Sequence, residues 1–257
     1  NVGGTTTGVV WSFTTVPPPP AQASSPNPAN AATNVSLTTD LSWTAGSGAT
    51  SHDVYFGTSS PGAFQGNQAG TTFDTGTMSN NTTYYWRVDE KNTGGTTTGV
   101  VWSFTTVPPP PAQATNPNPA NLATNISTLA DLIWTAGSGA TSHDVYFGTS
   151  SPGTFRGNQT GTIYDPGTLN RNTTYYWRID EKNAGGTTTG VVWSFTTVPL
   201  PPAQATNPST ANLATNVSLT NDLSWTAGSG ATSHDVYFGT SSPGTFRGNR
   251  AATTFDT

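Results

Sequence analysis

The sequence contains no cysteine, which excludes disulfides, thiolate metal ligands and a cysteine nucleophile together. Charged side chains are 8% of the 257 residues, against roughly a quarter in ordinary globular domains. Only eight Lys and Arg residues are present and the net charge is −5, so we expect no binding to nucleic acid or to an anionic membrane. No apolar run approaches about 18 residues, the length of a membrane span, so no membrane insertion is predicted in this segment.

What the sequence does have is an internal repeat. The segment VVWSFTTV places tryptophan at Trp11, Trp102 and Trp193, so the period is 91 residues. A period of this length is the size of a domain, whereas solenoid repeats are shorter. We therefore expect tandem copies of one small domain.

Within one period, short bursts of alternating apolar residues are separated by turn residues, and no segment has a helical period. This pattern predicts an all-β domain of seven short strands, most simply a sandwich of two antiparallel sheets. The predicted strands of the first complete repeat are Asn34–Leu37, Asp40–Thr44, His52–Gly57, Phe64–Asn67, Thr71–Thr75, Thr83–Lys91 and Thr97–Thr106.

Period-two alternation predicts which side chains form the core. The predicted core residues are Leu41, Trp43, Val54, Phe56, Tyr84, Trp86, Val88, Trp102 and Phe104. Substitutions between copies, such as Val88 to Ile179, keep the apolar volume at these positions.

The residues NNTTYYWRVDEKNTGG followed by VVWSFTTV, with Trp43 on the second strand and Tyr84 at the start of the sixth, resemble the fibronectin type III family. The WSFTT strand is similar to that of bacterial extracellular members. The resemblance implies tandem immunoglobulin-like, seven-stranded antiparallel β-sandwiches without enzymatic activity. It also implies a tyrosine corner at Tyr84 and Tyr175, in which the hydroxyl group bonds to nearby backbone. The chain has no Arg-Gly-Asp, so integrin binding is not implied.

The repeat divides the chain into four parts. Residues 22–107 and 113–198 are predicted as complete domains, and residues 204–257 as an incomplete domain without its last strands. Residues 1–16 match the last strand of a preceding or partner domain. Two explanations are open for a last strand at one end and an incomplete domain at the other. In the first, these residues are a segment of one longer continuous chain, and in the second, strand 1–16 of one chain completes the third domain of the next by donor-strand pairing. We favour the first.

Proline-rich linkers join the domains, VPPPPAQA from Val107 and VPLPPAQA from Val198. Consecutive prolines favour the polyproline II conformation, which resists bending. We expect stiff spacers and an axial advance on the order of 35–45 Å per repeat.

Two clusters contain residue types used in catalysis. In Ser51-His52-Asp53, adjacent strand residues face opposite ways, so we expect no catalytic relay and place His52 beside Val54 on the core side. Asp89-Glu90-Lys91 is interpreted as a solvated charge cluster or an interdomain salt bridge. No calcium-loop spacing occurs. We therefore predict no catalytic residue, no metal site and no cofactor.

Sequons for N-glycosylation recur in register with the repeat. The candidate glycosylation sites are Asn34, Asn81, Asn125, Asn172 and Asn216. Further matches occur at Asn80 and Asn158. In a sequence this rich in Asn and Thr, ordinary turn residues are the alternative interpretation.

Together these features predict a structural component of an extracellular or cell-surface rod or fibril. The expected partners are copies of the chain itself, head to tail along a fibril or as one continuous array, together with attached glycans. The alternative is a spacer, stalk or adhesive binding region of a large secreted enzyme or surface adhesin. Near-identity of the copies favours the first function, since binding sites usually require modules to diverge.

Overall fold

The computed structural model describes residues 3–257, and within them it contains strands and no helix. The first repeat has nine strands, which are β1 (Ser24–Asn27), β2 (Ala32–Val35), β3 (Leu41–Thr44), β4 (Ser51–Gly57), β5 (Ala63–Gln68), β6 (Thr72–Phe73), β7 (Thr83–Asn92), β8 (Gly95–Thr97) and β9 (Trp102–Thr106). The second repeat has the same nine, which are β10 (Thr115–Asn118), β11 (Ala123–Ile126), β12 (Leu132–Thr135), β13 (Ser142–Gly148), β14 (Thr154–Gln159), β15 (Ile163–Tyr164), β16 (Thr174–Asn183), β17 (Gly186–Thr188) and β18 (Trp193–Thr197).

Two sheets form each complete repeat. In the first, a three-stranded sheet has the order β1-β3-β6, and a six-stranded sheet has the order β2-β9-β7-β4-β5 with β8 paired to β7. The second repeat has the same two sheets, β10-β12-β15 and β11-β18-β16-β13-β14 with β17 on β16. One core cluster contains residues of both sheets in each repeat. This architecture confirms the predicted fold class, tandem β-sandwiches of the fibronectin type III kind.

Three details of the strand prediction were wrong. Strand β1 was missed, because prolines such as Pro26 are unusual within strands. The predicted strand Thr97–Thr106 is broken between β8 and β9, where the Gly99 backbone N–H turns aside to donate to Asp89 Oδ1 at 2.8 Å. The sandwich is also not wholly antiparallel, since β2 runs parallel to β9.

The predicted core is confirmed. Leu41, Trp86 and Val88 are completely buried, while Phe56 is partly buried and packs against the cluster. The implied tyrosine corner is confirmed as well, since the Ser79 N–H donates to the Tyr84 hydroxyl at 3.0 Å. The equivalent distance in the second repeat, from Asn170 N to Tyr175 Oη, is also 3.0 Å.

The remaining parts of the chain form fewer strands than the two complete repeats. The third repeat has four strands, which are β19 (Leu223–Ser224), β20 (His234–Phe238), β21 (Thr245–Arg250) and β22 (Thr254–Phe255). Residues 3–16 contain no strand, and their large side chains, such as Trp11 and Phe13, are exposed. Asn1 and Val2 lie outside the described residues. The assignment of residues 1–16 to a preceding or partner domain, and the bounds 22–107, 113–198 and 204–257, stay predictions.

Candidate functional site: the proline joint

The joint between the first and second repeats, Val107–Gln113, is bonded by the repeat that follows it. Proline has no backbone N–H, so each proline presents only a carbonyl group to hydrogen-bond. The Pro109 carbonyl accepts from Asn183 Nδ2 at 2.9 Å, and the Pro111 carbonyl accepts from Thr188 Oγ1 at 2.6 Å. Both donors lie on the β16–β17 hairpin of the second repeat, so this hairpin holds the joint at alternate residues.

The preceding repeat holds the other end of the joint. The Val107 carbonyl accepts from the Asn81 backbone N–H at 2.8 Å, and the Val107 N–H donates to the Val35 carbonyl at 2.9 Å. The Asn80 side-chain amide lies 3.2 Å from the Pro108 carbonyl oxygen. Hydrogen bonds from the two repeats therefore meet on neighbouring residues, Pro108 and Pro109.

Two glycines make this close docking of backbone on backbone feasible. A methyl group on Gly185 would lie 1.8 Å from the Pro108 carbonyl oxygen, and one on Gly137 would lie 1.8 Å from that of Ala112. Neither distance is tolerable between heavy atoms, so any other residue would displace the joint. The sequence analysis missed the role of these glycines, because nothing in their local pattern shows that a linker crosses them.

The same docking recurs before the first repeat. The Asn92 side-chain amide donates to the Pro18 carbonyl at 2.9 Å, and the Thr97 hydroxyl donates to the Pro20 carbonyl at 2.6 Å. Gly94 lies against Pro17 as Gly185 lies against Pro108. We call the hairpin residues that contact the prolines, Asn92, Gly94 and Thr97 with their equivalents, the seat. Both complete repeats have it, and each binds the proline segment that precedes it.

Beneath the seat lies a buried acid–histidine pair. Glu90 is completely buried, its Oε2 is 2.5 Å from His52 Nδ1, and its Oε1 accepts from the Gly46 N–H at 3.1 Å. Gly46 lies against the backbone of Ala21, at the end of the proline segment. The Trp43 indole packs edge-on against His52. The pair therefore supports the loop on which the joint rests, and His143 and Glu181 repeat the arrangement.

The structure corrects one interpretation and confirms another. Asp89-Glu90-Lys91 is not a solvated cluster or an interdomain bridge, because Glu90 points into the core and Asp89 is buried against Arg87 of the same strand. Lys91 pairs with Asp53 of the same repeat at 3.1 Å. His52 is buried beside the core as predicted. Residue alternation alone could have placed Glu90 inward, since it lies two positions after Val88.

All five candidate glycosylation sites are exposed and share one backbone conformation. Their φ angles are positive, at 55° for Asn34, 47° for Asn81, 59° for Asn125, 50° for Asn172 and 58° for Asn216. Asparagine tolerates this left-handed region better than most residues, which is a structural reason for its presence. By contrast, the side-chain amides of Asn80 and Asn158 are hydrogen-bonded. Glycosylation at the five sites stays a prediction.

Other kinds of site were also sought. In the described part of the chain, no three residues among His, Cys, Asp and Glu are grouped so that they could hold a metal ion. No helix within residues 3–257 is long and apolar enough to cross a membrane. An open groove of ≈ 500 Å³ lies in the third repeat, beside Leu223, Trp225 and Val236.

Comparisons with known proteins add no function. No family model matches the chain, and no curated protein matches it. Among 147 matching chains of solved structures is one described as fibronectin(III)-like modules of Clostridium thermocellum CbhA. That match has 12% identity and a TM-score of 0.37, and it covers 67% of this chain and 91% of the other. The fold assignment therefore rests on the strand order and the cores described above.

Proposed function

We propose that this chain is a structural element of a bacterial, extracellular rod or fibril, in which the proline joints set the stiffness. The observation that carries the proposal is the joint between the first and second repeats. Its backbone is hydrogen-bonded by both neighbouring repeats, with no free stretch between the two sets of bonds.

The mechanical argument begins with the default for tandem domains, which is relative motion about an exposed linker. A proline-rich linker already restricts bending, because φ is fixed and the polyproline II conformation is extended. Here Val107 and Pro108 are bonded to the first repeat, while Pro109, Pro111 and Ala112 are bonded to the second. Rotation within the joint would break several of these bonds, so we expect neighbouring repeats to move as one body.

The partners proposed are further copies of the repeat, joined end to end in a continuous array. The 91-residue period supports this, because each complete repeat has both the seat for a preceding proline segment and a turn that bonds the following one. Solubility would come from the charge-poor, hydroxyl-rich surface. We also propose glycan attachment at the five exposed sequons, whose side-chain amides have no hydrogen-bond partner within residues 3–257.

The experiment is small-angle X-ray scattering on the intact chain and on two glycine variants. In Gly185→Ala, the methyl group would meet the Pro108 carbonyl and unseat the joint. Gly161→Ala is the matched control, because its methyl group would meet only the end of the Gln159 side chain, at 3.9 Å. We expect the wild type and the control to give the same distance distribution, and Gly185→Ala to give a broader, shorter one. A Gly185→Ala distribution that matches the control would overturn the stiff-joint mechanism.

Electron microscopy of native material distinguishes a fibril from a stalk. Uniform filaments with an axial repeat on the order of 35–45 Å, the rise expected from strand and linker lengths, would support the fibril. Single short stalks that end in a separate globular head would show instead that these repeats are a spacer.

A further inference from the structure

An ordered group of aromatic and cationic side chains lies on the outer face of the six-stranded sheet. Tyr55 on β4 and Phe64 on β5 have ring centroids 5.4 Å apart, and the Arg87 guanidinium carbon lies 4.3 Å from the centroid of the Tyr55 ring. Arg87 is held in turn by Asp89, at 3.0 Å from Nη2 to Oδ2. Phe64 is nevertheless 57% exposed. We call Tyr55, Phe64 and Arg87 with their repeat equivalents the aromatic face.

The two rings of the aromatic face recur in every repeat, and the arginine recurs in the second. In the second repeat the Tyr146 and Phe155 centroids are 5.5 Å apart and Arg178 lies 4.3 Å from the Tyr146 centroid. In the third repeat Tyr237 and Phe246 are 5.4 Å apart. Phe155 and Phe246 are both 52% exposed. The same exposed ring is therefore presented at a constant interval of 91 residues along the chain.

The residue that follows Phe64 differs between the copies, but its hydrogen bond to the neighbouring strand does not. Gln65 is replaced by Arg156 and Arg247, yet each side chain donates to a phenylalanine carbonyl of the neighbouring strand, at 2.9, 3.0 and 3.1 Å. The edge strand that presents Phe64 is thus held in the same way in each copy. A ring held in place loses little conformational entropy when it binds a partner.

The chemistry of the aromatic face is that of a protein interface. Tyr, Phe and Arg are enriched in interface cores. In the first repeat the charges beside the rings cancel, since Arg87 bonds Asp89 and Lys91 lies 3.1 Å from Asp53. The second repeat has the same two pairs and one further arginine, Arg156, whose Nε donates to the Phe147 carbonyl. A surface with so little net charge can face a copy of itself with little repulsion.

We propose that the aromatic face is the lateral contact between two copies of this chain, side by side in the same direction. A partner can occupy all the faces at once only if it has the same 91-residue period, and a second copy has it by construction. Several weak contacts joined by stiff spacers then act together. This inference rests on the proposed rod, because only stiff joints keep successive faces at a constant spacing.

The first test is sedimentation velocity of the 257-residue chain over a wide concentration range. Two triple variants are compared, and each replaces three exposed apolar residues with serine. They are Phe64→Ser with Phe155→Ser and Phe246→Ser, and the control Leu122→Ser with Leu129→Ser and Leu213→Ser. Circular dichroism checks that both are folded.

We expect the wild type and the leucine control to self-associate, and the phenylalanine variant to do so about tenfold more weakly or worse, as for the loss of interface anchors. A wild type that stays monomeric would overturn the proposal. So would association that survives in the phenylalanine variant, because the contact would then lie elsewhere, for example at the open edges of the third repeat.

The second test uses the absence of cysteine. The single variants Phe64→Cys and Leu122→Cys each introduce one thiol into a thiol-free chain. With a short bis-maleimide we expect a cross-linked dimer from Phe64→Cys well above the Leu122→Cys background, and equal yields would contradict a face-to-face contact. Chains that pass the Gly185→Ala test but remain single would overturn this inference alone. Chains that pair through the phenylalanines although Gly185→Ala leaves the scattering unchanged would overturn the rod.

Discussion

The first and third repeats have nearly the same sequence up to Thr257, the equivalent of Thr75, but they differ in structure. In the first repeat Leu41 is completely buried and Val35 is 9% exposed. Their counterparts in the third repeat are a half-buried Leu223 and a Val217 that is 43% exposed. Since the local sequences agree, the difference comes from the strands that the third repeat does not have in this chain, the equivalents of β7, β8 and β9.

The pairing that survives in the third repeat is mostly local. The β20–β21 hairpin has the same register and the same irregularity as β4–β5, with His234 opposite Arg250 as His52 is opposite Gln68. The counterpart of β2 does not form, because its partner in the first repeat is β9. Of the β1–β3 pairing, the bridge between Thr206 and Thr226 remains, with a hydrogen bond from the Ser209 N–H to the Ser224 carbonyl at 2.7 Å. The β19–β22 pair keeps the register of β3–β6. Pairings whose two strands both lie within residues 204–257 therefore survive at least in part, while the counterpart of β2 needs the counterpart of β9.

The largest expected effect comes from completing the third repeat. We predict that a chain extended after Thr257 by residues matching Gly76–Val107 gains a third cooperative unit, worth about 5–15 kcal/mol of unfolding free energy. The added strands would cover the groove beside Trp225. Hydrogen exchange of peptides from residues 204–257 measures the gain, and a scrambled extension of equal length is the control. Unchanged exchange would show that the missing strands are not the cause of the difference.

Equivalent tryptophans should contribute differently to the stability of the first and third repeats. We predict that Trp43→Ala lowers the unfolding free energy of the first repeat by about 3–5 kcal/mol, because it empties a closed core. Trp225→Ala should cost less than about 1 kcal/mol, since Trp225 lies beside an open groove. Urea unfolding followed by hydrogen exchange separates the repeats, and the unaltered second repeat is an internal reference. Equal losses at the two positions would contradict the comparison.

A smaller effect is expected from the buried acid, which the third repeat has no strand to supply. Glu90→Gln should destabilise the first repeat by about 1–3 kcal/mol, because a buried polar group loses a charged hydrogen-bond partner. The exposed Asp40→Asn is the matched control. Urea unfolding of the two variants gives the difference, and a loss no greater than that of Asp40→Asn would show that the pair does not support the fold.

The smallest effect concerns the tyrosine corner on the same strand. Tyr84→Phe removes the acceptor of the Ser79 N–H and should cost about 1 kcal/mol. Tyr85→Phe on the opposite face should be nearly neutral, because its hydroxyl has no hydrogen-bond partner among the described residues. Thermal unfolding distinguishes the two variants. Equal shifts of their unfolding midpoints would show that the Ser79–Tyr84 hydrogen bond contributes no stability of its own.

Much of the fold could be predicted from the sequence. Alternation placed Trp86, Val88 and Phe104 in the core, and the turn residues divided the strands correctly except at β1 and Gly99. The candidate site was harder to predict, because a linker read along the sequence is only a run of prolines. The donors in the repeat that follows lie more than seventy residues away, as in the pairs Pro18–Asn92 and Pro20–Thr97.

The sequence by itself determined the period, the all-β class and the side chains of the core, because those depend on alternation and on turn residues along the chain. Only the tertiary structure decided that Glu90 is buried against His52 and that Gly94 and Gly185 form seats for the joints. Each of these depends on a strand far away in sequence. Such contacts form only after chain entropy has been lost in bringing distant segments together, and no local pattern records whether the distant partner is present.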